Sequence, residues 1–273
     1  MTLEIVREHT VRGQRLRVAI RPGSADTPLV LCNGIGASLD LLQPFVDRLD
    51  PAIPVIRFDV PGVGGSPPPR MPYLLAGLAR LVTTLVTELG HDRFDVLGIS
   101  WGGGLAQQIA FQYPRRCRRL VLAATATGCL MVPARPGVLV KMVTPRRYRD
   151  DRYATAVAAD IYGGSLRDRP ELVRQLLGGH SPLTSDRGYR LQLLAMAGWT
   201  SLPFLPLIRQ PTLILAGDDD PLVPLVNARI MAALLPRATL HVFAEGHLGL
   251  IVAAEGLGPL VGEFLTEGAT ARS

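Results

Sequence analysis

A serine flanked by glycines, Gly98-Ile99-Ser100-Trp101-Gly102, constrains this 273-residue chain more than any other feature. Phe94-Asp95-Val96-Leu97 before it is a strand-type run. Gly102-Gly103-Gly104-Leu105-Ala106-Gln107-Gln108-Ile109-Ala110 after it opens a helix ending near Tyr113-Pro114. A G-x-S-x-G pentapeptide at such a junction predicts a sharp strand-to-helix turn. The turn strains the serine backbone by about 1–3 kcal/mol and leaves Oγ standing clear of the sheet. Glycines flank it because a Cβ there would collide with neighbouring backbone. The helix start favours negative charge at the same spot. Ser100 is therefore the candidate nucleophile.

The rest of the chain supplies a sheet for that turn. Strand-type runs recur at Glu4–Arg7, Arg15–Ile20, Leu29–Cys32, Val55–Asp59, Phe94–Ile99, Leu120–Ala124, Thr212–Ala216 and Leu240–Phe243. Runs such as Pro28-Leu29-Val30-Leu31-Cys32 are apolar on both parities, as strands covered on both faces of a parallel sheet are. Helical patterns separate them at Leu39–Leu49, Leu74–Leu89, Gly102–Gln112, Val223–Leu235 and Leu248–Thr266. This order predicts an α/β fold with a mostly parallel eight-stranded sheet and helices on both faces. The alternation stops over 130–207, a proline-rich stretch with helical pieces near Asp150–Ile161, Glu171–Leu177 and Tyr189–Ala197. It reads as a helical cap over the end of the sheet, inserted between core segments 1–129 and 208–273. Gly268–Ser273 reads as a loose tail.

Composition removes other classes. A hydrophobic content of 48% supplies a core and excludes disorder for most of the length. No apolar run is long enough to cross a bilayer, and the N-terminus lacks the apolar segment of a signal peptide. Cys32, Cys117 and Cys129 are too few and too widely spaced for a disulfide framework or a zinc site. These features point to a cytoplasmic protein. The net charge of +6 comes from 28 arginines and one lysine, Lys141, scattered rather than gathered with aromatics. Solvated surface charge explains it better than nucleic-acid binding.

A serine nucleophile needs a base, and the base needs a group to hold it. The loop Gly217-Asp218-Asp219-Asp220-Pro221-Leu222-Val223-Pro224 and the loop Glu245-Gly246-His247 each follow a predicted strand. Parallel strands bring such loops to one sheet edge. His247 is the candidate base and Asp220 its partner by spacing, with Asp219 the fallback and Asp218 a turn residue. A calcium loop is a poor reading of the aspartates, which lack its glycine, spacing and distal glutamate. His241 lies mid-strand, and His9, His91 and His180 have no partner motif. Backbone N–H groups of Trp101 and Ile35, the latter in Asn33-Gly34-Ile35-Gly36-Ala37, are the expected oxyanion donors. Phe58-Asp59-Val60-Pro61-Gly62-Val63-Gly64-Gly65-Ser66 is a structural loop. Trp101 and Trp199 are candidates for lining an apolar acyl pocket. No metal or cofactor is implied.

With these motifs in place the chain resembles the intracellular depolymerases of medium-chain-length poly(3-hydroxyalkanoates), a branch of the α/β-hydrolase superfamily. The resemblance rests on the loops around Asn33, Asp59 and Ser100, and on Leu105-Ala106-Gln107-Gln108 and Leu120-Val121-Leu122-Ala123-Ala124-Thr125-Ala126. It continues through Pro145-Arg146-Arg147-Tyr148, Ile161-Tyr162-Gly163-Gly164, Gly198-Trp199-Thr200-Ser201 and Ala216-Gly217-Asp218-Asp219-Asp220-Pro221-Leu222. It therefore covers the cap as well as the core. It implies hydrolysis of aliphatic polyesters stored as granules, with the granule surface as a partner and Ser100, Asp220 and His247 on the family's triad positions. Gly104, where alanine is expected, and the short tail depart from the pattern. Two other readings share the same residues: a general carboxylesterase, lactonase or thioesterase for medium-chain acyl groups, and a catalytically silent hydrolase fold serving as a ligand receptor.

Overall fold

The structure is a computed structural model and describes residues 4–169, 172, 176 and 185–267. Eight strands form one sheet: β1 (Ile5–Val11), β2 (Gln14–Arg21), β3 (Leu29–Cys32), β4 (Val55–Phe58), β5 (Phe94–Ile99), β6 (Cys117–Ala123), β7 (Thr212–Gly217) and β8 (Ala238–Phe243). Their order is β1-β2-β4-β3-β5-β6-β7-β8. β1 and β2 run antiparallel to their neighbours, and the remaining pairs are parallel. The helices are α1 (Gln43–Val46), α2 (Leu75–Glu88), α3 (Trp101–Gln112), α4 (Pro136–Met142), α5 (Asp151–Tyr162), α6 (Asp186–Ala197), α7 (Leu225–Leu234), α8 (Gly249–Val252) and α9 (Ala254–Thr266).

The strands that are apolar on both parities feed two cores. Val30, Val96, Leu120, Leu122 and Ile214 face the layer built from α2, α3 and α7. Their neighbours Leu29, Leu31, Leu97, Val121 and Leu213 face α1, α8 and α9 on the other side. Successive side chains of a strand point to opposite faces, so a sheet covered twice needs both sets apolar.

All eight expected strands are present, β3 and β5 with the expected ends and the others with corrected ones. β1 runs four residues further than expected, to a tight turn at Arg12 (φ 50°) and Gly13 (φ 79°). Two positive-φ residues suit the twist of a hairpin, but Arg-Gly is a weaker sequence signal than Asn-Gly. β6 begins earlier, at Cys117, because Arg118 pairs with Asp95 on β5 at 2.5 Å and is not a breaker. The helix expected over Leu39–Leu49 is a 3₁₀ turn at Leu39–Leu42 followed by α1, which has Pro44 in its first turn. Leu248–Thr266 divides into α8 and α9 at Ala253. α4 was not expected at all; Pro136 is its start signal, in the first turn where proline fits. The expected helix at Glu171–Leu177 lies outside the described residues apart from Leu172 and Leu176, as do His180 and the Gly268–Ser273 tail.

Between β6 and β7 the described residues contain helices and no strand of the sheet. The base of this segment is tied shut by backbone. Cys129 N–H donates to Trp199 C=O at 2.8 Å, and Ser201 N–H donates to Thr127 C=O at 3.0 Å. Gly128 and Thr200 form an isolated bridge there.

Candidate active site

Ser100 occupies the junction of β5 and α3 with φ 54° and ψ −121°. It is one of three non-glycine residues with positive φ among those described. The space around it explains its neighbours. A Cβ on Gly102 would overlap the carbonyls of Cys32 and Asn33, and one on Gly98 would overlap Gly102 and Ala106. The strand and helix approach so closely that only glycine fits. Gly102→Ala is expected to lower the unfolding free energy by about 1–3 kcal/mol through this overlap. The shift in urea midpoint measures it, and an unchanged midpoint would show that the backbone yields freely.

The loops after β7 and β8 meet Ser100 at the same sheet edge. His247 Nε2 lies 3.0 Å from Ser100 Oγ, and His247 Nδ1 lies 2.8 Å from Asp220 Oδ2. Asp220 and His247 side chains are both buried. Asp220 Oδ1 accepts the N–H groups of Leu222 (2.9 Å) and Val223 (2.8 Å), which leaves Oδ2 aimed at the imidazole. His247 N–H donates to Tyr162 C=O at 2.7 Å, so α5 fixes the backbone that carries the ring. Asp219 turns the other way. Its exposed carboxylate accepts Gly164 N–H at 2.8 Å and pairs with Arg167 at 2.9 Å. Desolvation acts against its charge, but those bonds prevail and hold the carboxyl below its ordinary range. Asp218 is exposed, with its N–H on Phe243 C=O.

The loop Asn33–Ala37 faces this group. Trp101 N–H is at the first position of α3, where no intrahelical acceptor exists. The peptide following Ile35 N–H is held on both sides by residues of the helical segment. Ile35 C=O accepts Tyr148 O–H at 2.8 Å and Arg147 Nη2 at 3.3 Å. Gly36 N–H donates to Gln192 Oε1 at 2.7 Å. Asn33 Nδ2 bonds Ser38 C=O. Asp59 closes the loop from beneath, accepting Leu39 N–H at 2.6 Å and Gly65 N–H at 2.7 Å. The Asp59 motif is thus structural.

The two tryptophans do not sit where a pocket lining was expected. Gly34, Ile35, Ser100, Tyr162, Leu222 and His247 are among the residues around the cavity at the serine; neither Trp101 nor Trp199 is among them. Trp101 Nε1 donates to Gln192 C=O at 2.8 Å within the core. Trp199 Nε1 donates to Gln108 Oε1 at 2.8 Å, and its ring packs edge-on to Phe204. Trp101 is a candidate by its place beside the nucleophile and Trp199 by its place in the apolar insertion, but indole N–H groups need partners and find them in the scaffold. Gly104 gains a reason here, because a Cβ would crowd Met196 and Trp199. The residues missed from sequence are Arg147, Tyr148, Tyr162 and Gln192. Nothing in a run such as Pro145-Arg146-Arg147-Tyr148 distinguishes a buried arginine from its exposed neighbour Arg146.

The remaining titratable groups lie apart. His9 bonds Glu88 at 2.9 Å, and His241 stacks on Phe243 in β8. The buried thiols of Cys32 and Cys117 are raised by desolvation and are poor nucleophiles; Cys129 is exposed. Among the described residues no group of three or more His, Cys, Asp or Glu is placed to hold a metal ion. No described helix is long and apolar enough to cross a membrane.

The sheet order and the serine turn between β5 and α3 define the class. The chain belongs to the α/β-hydrolase fold family, whose model matches residues 27–254. More particularly, it is 49% identical over 267 residues to the poly(3-hydroxyalkanoate) depolymerase of Ectopseudomonas oleovorans, covering 96% of this chain and 93% of that protein. The resemblance read from the motifs is borne out. A 3-oxoadipate enol-lactonase of Acinetobacter baylyi is 28% identical over 231 residues, covering 83% of this chain and 84% of that protein. The crystal structure of the enol-lactonase from Burkholderia xenovorans LB400 matches with a TM-score of 0.82 at 25% identity, covering 96% of this chain and 100% of that one.

Proposed function

We propose that the protein is a serine ester hydrolase that cleaves aliphatic poly(3-hydroxyalkanoate) through an acyl-enzyme, with Ser100, His247 and Asp220 as its catalytic residues. The observation that carries the chemistry is the unbroken chain of contacts from Ser100 Oγ through His247 to Asp220 at 3.0 and 2.8 Å. His247 Nε2 takes the proton as Oγ bonds to the ester carbonyl carbon. Trp101 and Ile35 N–H groups receive the negative oxygen, each donor worth about 3–4 kcal/mol. The tetrahedral adduct collapses, the C–O bond to the alcohol breaks, and His247 returns the proton to the leaving oxygen. Water, deprotonated by His247, then frees the acid and restores Ser100.

The substrate rests on the similarity to the depolymerase, which runs through the helical segment as well as the sheet. We read residues 130–207 as a cap that closes the site. Val140, Val143 and Leu139 of this segment are exposed, which supports contact with an apolar polymer granule. The test compares release of 3-hydroxy acids from a poly(3-hydroxyoctanoate) latex with turnover of 4-nitrophenyl octanoate, with Ser100→Ala as control. Attack on both is expected. Turnover of the soluble ester alone would replace this reading with the general esterase or lactonase, and failure to react with a fluorophosphonate probe would favour the silent receptor.

A further inference from the structure

Arg147 is the anomaly of the site. It is 2% exposed and lines the cavity that holds Ser100 and His247. Among the described residues no carboxylate lies within ion-pair distance of it. Its guanidinium meets only neutral groups: Tyr189 Oη at 2.8 Å, Ile35 C=O at 3.3 Å, Tyr148 Oη at 3.4 Å and Thr144 C=O at 3.5 Å, with the Tyr162 hydroxyl also beside it. The rings of Tyr148 and Tyr189 lie 4.5 and 5.4 Å from it. Its Nε–H has no partner. Tyr162, 3% exposed and lining the same cavity, has a buried hydroxyl that lies beside this guanidinium and has no acceptor for its own proton.

A buried cation without a counter-ion is costly, and unpaired buried donors add to that cost. Clamping the Asn33–Ala37 loop does not require a cation, because Tyr148 O–H already bonds Ile35 C=O. A ligand that brings a negative charge and two acceptor oxygens would relieve both deficits. A carboxylate does so, and guanidinium recognises it better than any other side chain does.

We infer that Arg147 and Tyr162 form a carboxylate subsite that selects the free acid end of a 3-hydroxyacyl ester chain. The inference rests on the substrate reading above. In a poly(3-hydroxyalkanoate) only the terminal unit carries a free carboxylate, three carbons from the last ester oxygen. Holding it beside the loop that carries Ile35 N–H directs hydrolysis to the final linkage. The enzyme then removes units from the acid end and prefers oligomers to chains capped as esters.

The test is the kcat/KM ratio for the free-acid dimer of (R)-3-hydroxyoctanoate against its methyl ester, with 4-nitrophenyl octanoate as a neutral reference. Wild type is expected to favour the free acid at least about tenfold, mainly through KM. Arg147→Gln should abolish the preference and Tyr162→Phe should reduce it several-fold. The ratio within each variant cancels any general loss of turnover, and Tyr162→Phe decides the matter if Arg147→Gln does not fold. Equal use of the two dimers by wild type, or a preference that survives both substitutions, overturns the subsite while leaving the ester hydrolase reading intact. Cleavage of 4-nitrophenyl octanoate with neither dimer touched overturns the substrate reading beneath it.

Discussion

Ser100→Ala is expected to reduce kcat on any ester by about 10⁵-fold or more while leaving the fold unchanged. The size follows from the role of Oγ as the atom that bonds to the substrate carbon. With Oγ gone, His247 Nε2 loses the partner at 3.0 Å, and only oriented water remains as nucleophile. Residual catalysis comes from the oxyanion donors and from binding. Alanine also occupies the positive-φ position with no more difficulty than serine, since both carry one Cβ substituent on the same backbone. Initial rates, fluorophosphonate labelling and the denaturation midpoint together check this. A variant that kept even a hundredth of the activity would remove Ser100 from its place as nucleophile.

The second large effect separates two neighbours. Asp220→Asn is expected to lower kcat by about 10⁴-fold, roughly 5 kcal/mol of transition-state stabilisation. The amide is nearly isosteric, so packing survives. An asparagine whose carbonyl oxygen keeps the Leu222 and Val223 N–H bonds presents NH₂ to His247 Nδ1, which selects the wrong tautomer and leaves the imidazolium unsupported. Asp219→Asn, one position away, should keep activity within a few-fold. Its exposed pair with Arg167 contributes less than about 1 kcal/mol to stability. Equal losses at both positions would show that the loop as a whole, and not one carboxylate, supports the histidine.

That contrast also marks how far the sequence is legible. Asp220, His247 and Ser100 could be read because the chemistry fixes their order in the chain, and parallel strands deliver the ends of β5, β7 and β8 to one edge. The eight strands could be read because two covered faces demand apolar residues on both parities. The failures at Arg118, at the two tryptophans and at Arg147 share a cause: they lie where tertiary partners reverse a local preference. Arg118 is unremarkable in β6 once Asp95 is opposite it. Trp101 and Trp199 turned inward because Gln192 and Gln108 accept their N–H groups. Arg147 is invisible as a buried cation because two of the three tyrosines around its charge, Tyr162 and Tyr189, come from distant stretches of the chain, and the adjacent Tyr148 alone does not mark burial.

The clamp on the Asn33–Ala37 loop has a consequence for the order of events. Ile35 C=O and Gly36 N–H are both held by side chains of the helical segment, through Tyr148, Arg147 and Gln192. The cavity at the serine is only about 30 Å³, a volume suited to a water or two. On the proposed reading, a 3-hydroxyacyl unit larger than this cavity needs that segment to shift, and the shift that admits it slackens the bonds on the Ile35–Gly36 peptide, beside the proposed oxyanion donor. Admission and readiness are opposed. The enzyme is armed only after its guest is seated, which keeps the charged intermediate from forming in a half-filled, wet site.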